Sequence, residues 1–143
     1  PPRSTLFPYT TLFRSADRFE SEGRSHAFNA AIDPDGSGLM GVPTVMRRAE
    51  SGRWWWRSAG SDVSFLALRN NALSDQGFIR STSPRAEGYA CEVSCIDWYG
   101  NTRALFIAGR IFALSGTELV EGVLTDKGIA DLARVNLTET PAR

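Results

Sequence analysis

The chain has 143 residues, 42% of them hydrophobic, and its 16 basic and 16 acidic residues balance to zero net charge. That length suits one domain of ordinary size, and the charge balance excludes a basic footprint for nucleic acid or an anionic membrane surface. No apolar run approaches the roughly 18 residues that a transmembrane helix requires.

Taken in chain order, residues 1–15 come first and follow neither a period of 2 nor one of 3.6. They lack the apolar centre of a signal peptide. The stretch "TLFPYTTLFRS", Thr5 to Ser15, matches one translated frame of a common short-read sequencing adapter without a mismatch. Residues 1–15 are therefore read as an adapter-derived tail and set aside from the fold. The genuine chain is expected to begin near Ala16, as the tail of a longer protein. Without Arg3 and Arg14 the balance turns mildly acidic, 14 basic against 16 acidic residues.

Beyond that point short apolar segments alternate with turn signals. "SHAFNAAI" (25–32) reads as a strand and "DPDGSG" (33–38) as a turn. "LMGVPTVMRR" (39–48) is a second strand, whose Pro43 points to an edge or a bulge. "RWWWRS" (53–58) is aromatic and extended, and "VSFLALR" (63–69) is a strand. "NNALSDQG" (70–77) reads as a turn and "FIRST" (78–82) as an extended piece. A polar segment, 83–102, precedes four further strand-like pieces, "RALFIA", "GRIFALSG", "TELVEGVL" and "IADLARVNL", the last two separated by the turn "TDKG". Turn signals every 8–12 residues indicate an all-β sandwich, barrel or propeller.

Sliding the chain by 56 residues sets Val63 on Leu119, Leu68 on Leu124, Leu73 on Ile129, Asp75 on Asp131, Ile79 on Val135 and Thr82 on Thr138. "HAFNAAI…GLMGV" loosely parallels "RALFIAGRIFAL". A repeated antiparallel unit of four strands is the signature of a propeller blade. The expected fold is thus all-β, with antiparallel sheets forming two consecutive blade-like units of an incomplete β-propeller. Residues 25–82 make the first blade, 83–102 a cysteine-containing insertion, 103–138 the second blade and 139–143 a tail. About three or more repeats are usually needed for stability, so the expected partners are neighbouring blades of the missing upstream chain.

The segment "SCIDWYGNTRALFIAGRIFALSGTELVEG", Ser94 to Gly122, resembles the end of a group of bacterial secreted or envelope proteins with a C-terminal β-propeller domain. Their tails carry a phrase of the form CxDWYGNxRPIF…GRxFALxGYELVEG, and "RSHAF" and "GLMGVP" resemble an earlier part of the same tail. Ala104 stands where that phrase has Pro, and Thr117 where it has Tyr. The resemblance implies a propeller fold and an extracytoplasmic setting, whether periplasmic, envelope or secreted. It implies no reaction and no catalytic residues.

Several residues are candidates for chemistry. Asp33, Asp35 and Ser37 occupy positions 1, 3 and 5 of an EF-hand-like loop with Gly38 at position 6, an alternation of hard oxygens that suits calcium. Position 12 is Thr44 rather than Glu, and the same residue types serve any hairpin turn. Cys91 and Cys95 would lie about 13 Å apart on a straight strand, at ~3.3 Å per residue, beyond the roughly 7 Å a disulfide spans. A bridge between them needs a tight loop; two buried thiols, or a metal or redox site, are the alternatives. Of the three tryptophans 54–56, Trp55 points opposite to Trp54 and Trp56. It is either a platform for a carbohydrate or protein ligand or part of the core. His26 beside Ser25 lacks the nucleophile elbow of a hydrolase. Asp97 and Asn101, in "DWYGN", are ligand-binding candidates or the ends of a tight turn.

The leading expectation is a non-catalytic binding or scaffold module. The alternative is part of a propeller-borne hydrolase or oxidoreductase with catalytic residues upstream. A third possibility, a stand-alone β-sandwich, requires two sheets closing a shared core.

Overall fold

The computed structural model describes residues 18–20, 28–46, 62–82, 102–115 and 118–137. Within them nine strands and no helix form. They are β1 (Arg18–Glu20), β2 (Asn29–Ile32), β3 (Gly38–Met46), β4 (Asp62–Arg69), β5 (Ala72–Arg80), β6 (Thr102–Ile107), β7 (Arg110–Ser115), β8 (Glu118–Thr125) and β9 (Gly128–Asn136). All pair antiparallel into two sheets. In sheet A, β1 and β2 share one edge of β3, which continues to β4 and β5; sheet B runs β6-β7-β8-β9. The all-β, antiparallel expectation is met.

Three local readings need correction or completion. The turn expected over 70–77 is only two residues long, and β5 already begins at Ala72. Asn70 and Asn71 both take positive φ, 51° and 58°, which closes a hairpin in two residues. The polar letters that follow are those of an edge strand with an exposed face. Second, β1 was not foreseen, because three residues are too few to show a period. Third, Pro43, which points to an edge or a bulge, sits instead inside β3, a strand paired on both sides. On β3 the partners of Glu20 and Asn29 are Thr44 and Gly41, so Pro43, which has no N–H, falls at the break between β1 and β2.

The 56-residue echo is a structural repeat. Every registered pair of β4 with β5 recurs in β8 with β9 when 56 is added to both numbers. Val63↔Ile79 becomes Leu119↔Val135, and Leu66↔Asp75 becomes Gly122↔Asp131. The register slips by one residue at the same place in both ladders. The other hairpins correspond as well: Thr44 lies opposite Asp62 as Ser115 lies opposite Glu118. What differs is the connection, residues 47–61 in the first unit and 116–117 in the second.

The two sheets share one core. Leu39, Val63, Phe65, Ala67 and Ile79 of sheet A meet Ala104, Ala113 and Val120 of sheet B, flanked by Phe106, Ile111 and Ile129. Two glycines set the spacing. A Cβ on Gly41 would overlap that of Ala104, and one on Gly122 would lie 2.8 Å from Cδ1 of Ile79. The Asn29 amide donates across the junction to the Ala104 carbonyl at 2.7 Å.

The faces that meet are not equivalent. Successive strand residues alternate between faces. Val63, Phe65, Ala67 and Ile79 point toward sheet B, while their counterparts Leu119, Glu121, Val123 and Val135 alternate with core-facing Val120 and lie on the far side of sheet B. The units therefore stack head to tail, as heterologous contacts do.

Candidate functional site

The sheets part at the end of the molecule that carries the β2–β3, β4–β5 and β6–β7 turns, leaving a cleft of about 420 Å³. Asp33, Ser37, Arg69 and Arg110 stand among its lining residues, with Phe106 and Leu124 among the apolar ones. Each polar residue is placed by a turn. The β2–β3 turn is closed by Asp33 N–H to the Ser37 carbonyl at 2.8 Å and Gly36 N–H to the Asp33 carbonyl at 2.9 Å. Arg69 ends β4 just before the two asparagines. Arg110 begins β7 after Ala108 and Gly109, whose φ values are 51° and 74°.

Asp35 accepts from the Ser37 hydroxyl at 2.7 Å and the Ser37 N–H at 2.9 Å. These two bonds, the hydroxyl's first, hold its carboxyl below the usual range. Of the three calcium candidates, Asp33 and Ser37 line the cleft, while Asp35 is engaged within the turn. Among the described residues no three His, Cys, Asp or Glu side chains come together.

Arg110 forms a two-pronged pair with Glu121, at 2.7 and 2.6 Å, and lies 4.9 Å from the centroid of the Phe112 ring. The bond from Arg110 holds the Glu121 carboxyl below its usual range. The exposed Arg69 guanidinium has no such carboxylate among the described residues. The cleft thus sets Arg69 and the Glu121-paired Arg110 beside Asp33 and Ser37, over an apolar floor.

Two carboxylates at equivalent positions, Asp62 and Glu118, anchor the other end of the units. Glu118 accepts from the Thr82 N–H at 2.8 Å and the Thr82 hydroxyl at 2.9 Å, and Arg134 reaches it at 3.1 Å. It is a latch from the second unit to the end of the first. Burial works against its charge, but the bonds from Thr82 and Ser81 and the charge of Arg134 outweigh it and lower its pKa. Asp62 instead pairs with buried Arg18 at 2.5 Å, with Arg80 at 3.6 Å. The Arg18 guanidinium stacks 3.3 Å from the Phe78 centroid, and its Nη2 is buried without a hydrogen-bond partner among the described residues. Thr44 and Ser64 hydroxyls bond beside it at 2.7 Å.

His26, Trp55, Cys91, Cys95, Asp97 and Asn101 lie outside the described residues. Arg69, Arg110 and the two anchoring acids were not singled out from sequence. The acids had a signal, since Asp62 and Glu118 fall together under the 56-residue shift. Compared with family models, curated proteins and solved structures, the chain finds no match.

Proposed function

We propose that this chain is a binding or scaffold module, and that its two sheets are consecutive blades of a β-propeller in an extracytoplasmic bacterial protein. The observation that carries the reading is the meeting of unlike faces. Two sheets related as halves of a closed sandwich would be expected to turn like faces to each other. Here the second unit repeats the first by displacement, as successive blades do. The cleft at the turn end supplies the recognition surface, with Arg69 as a cation that no carboxylate pairs among the described residues. The extracytoplasmic setting rests on the resemblance of Ser94–Gly122 alone.

The sandwich reading keeps one observation in its favour: a core shared by both sheets, with contacts between β5 and β9 at the edge as well as between β2 and β6. Denaturation of residues 16–143 separates the two. Aggregation or a broad, partial transition is expected of blades lacking neighbours. A monomer with a single sharp transition would overturn the propeller reading in favour of the sandwich.

A further inference from the structure

We propose that the far face of sheet B is a docking surface for a further four-stranded unit of the same repeat. This rests on the reading of the two sheets as successive units, and it names the partner of that stack. The occupant presents the face that sheet B itself turns to sheet A: small aliphatic side chains such as Ala104, Ala113 and Val120, with an acid at the position of Glu118.

Positional equivalence comes first. On the far face of sheet B, β8 and β9 repeat rung for rung the register of β4 and β5, which on sheet A receive sheet B. Exposure comes second. Val123 and Val135 are 41% and 55% exposed, and neighbouring Ile107 is 56% exposed, although Ala67 and Ile79, the equivalents of the two valines, are buried core. A patch of several such side chains marks an interaction surface.

The side-chain volumes on the two faces also match. In sheet A the cross-strand pair at the centre of the face is Gly41↔Phe65, and the Phe65 ring comes within 3.4 Å of where a Gly41 Cβ would stand. The corresponding pair in sheet B is Phe112↔Glu121. The aromatic has moved to the other strand, so one ring still fills the middle of the face. Arg110 lies beside that ring and neutralises Glu121, leaving no uncompensated carboxylate to desolvate.

A second copy of this chain is a poorer fit. The acid-bearing face it would have to offer is the far face of sheet A, where Val42, Thr44, Ser64 and Leu66 are buried.

The test lengthens the whole chain by inserting a copy of residues 83–138 directly after residue 138, which preserves the 56-residue period. With Cys91, Cys95 and their copies changed to Ser, single cysteines are introduced as Val135→Cys or Ile79→Cys and alkylated under native conditions. Val135→Cys should label rapidly in the 143-residue chain and about a hundredfold more slowly in the lengthened one, as for a site reached only by local opening. Val123→Glu in the lengthened chain should restore rapid labelling while Ile79→Cys stays protected. Unchanged labelling of Val135→Cys, with the added unit folded or unfolded, overturns the docking. Protection of Val135→Cys in the chain without the insertion, accompanied by a dimer in sedimentation, overturns it in favour of a second copy. Rapid labelling of Ile79→Cys in the lengthened chain without Val123→Glu strikes instead at the stacking of the two sheets, and with it the blade reading itself.

Discussion

Ile79 and Val135 occupy the same rung of two matching ladders, 56 residues apart, yet Ile79 is 1% exposed and Val135 is 55% exposed. The pleat and the register are the same; what differs is whether a second sheet lies over them. Their truncations should therefore separate widely. Ile79→Ala is expected to lower stability by about 2–5 kcal/mol, the range for opening a cavity in a core. Val135→Ala should stay within about 0.5 kcal/mol. Urea denaturation of both variants checks this, and equal losses would contradict the burial assignment.

Gly41 marks the closest approach of the two sheets. A methyl group there overlaps the Ala104 methyl, and both belong to strands with no slack. Gly41→Ala should cost about 1–3 kcal/mol, typical of overpacking. The double variant Gly41→Ala with Ala104→Gly should recover part of that loss, because the added volume is removed from the opposite side. Additive losses in a double-mutant cycle would show that the two residues do not touch.

Glu118 ties the second unit to Thr82, and its pKa is lowered in the folded chain. A carboxylate whose folded pKa is depressed contributes stability that is fully present above its unfolded value, near 4.5. That contribution disappears as pH falls through the folded value. Glu118→Gln should thus be less stable than the parent at pH 7, by roughly 1–2 kcal/mol for charge-assisted bonds. The two stability curves should draw together as pH falls below about 4.5. Curves that remain parallel down to pH 3 would remove Glu118 from the pH response.

Ala108 holds φ at 51°, a left-handed conformation that brings Cβ against the neighbouring carbonyl at roughly 1–2 kcal/mol. Ala108→Gly relieves that strain but adds freedom to the unfolded chain. A net gain of about 0.5–1 kcal/mol is expected, read as a rise in melting temperature with no change in circular dichroism.

Much of this architecture was legible because the signals were local. Val, Phe and Leu in "VSFLALR" mark β4, and the 56-residue echo survives because β4–β5 and β8–β9 have the same lengths. Reading failed where one residue type serves two purposes. Ser74, Asp75 and Gln76 look like turn residues, yet they belong to an edge strand that needs polar groups on its exposed side. Asp75 even retains a turn-like habit, accepting from the Gly77 N–H at 2.7 Å. The cleft was not legible at all. Arg69, Phe106 and Arg110 come together only after two hairpins pack, and no spacing in the sequence records that. The same holds for Glu118 and Thr82, whose contact depends on the stacking of whole units.

The exchanged pair, Gly41↔Phe65 against Phe112↔Glu121, also bears on how the chain avoids misassembly. Adjacent repeats with identical ladders invite one hairpin to settle in the place of the other, a characteristic failure of repeat proteins. If β8–β9 took the place of β4–β5 beside β3, Glu121 would face Gly41, leaving a hole and a buried charge where the Phe65 ring belongs. If β4–β5 sat beside β7 instead, Phe65 would meet Phe112, two rings in the space of one. A matched pair of residues that can be satisfied in only one arrangement acts as a key, letting the two units share a backbone plan while each hairpin recognises its own neighbour.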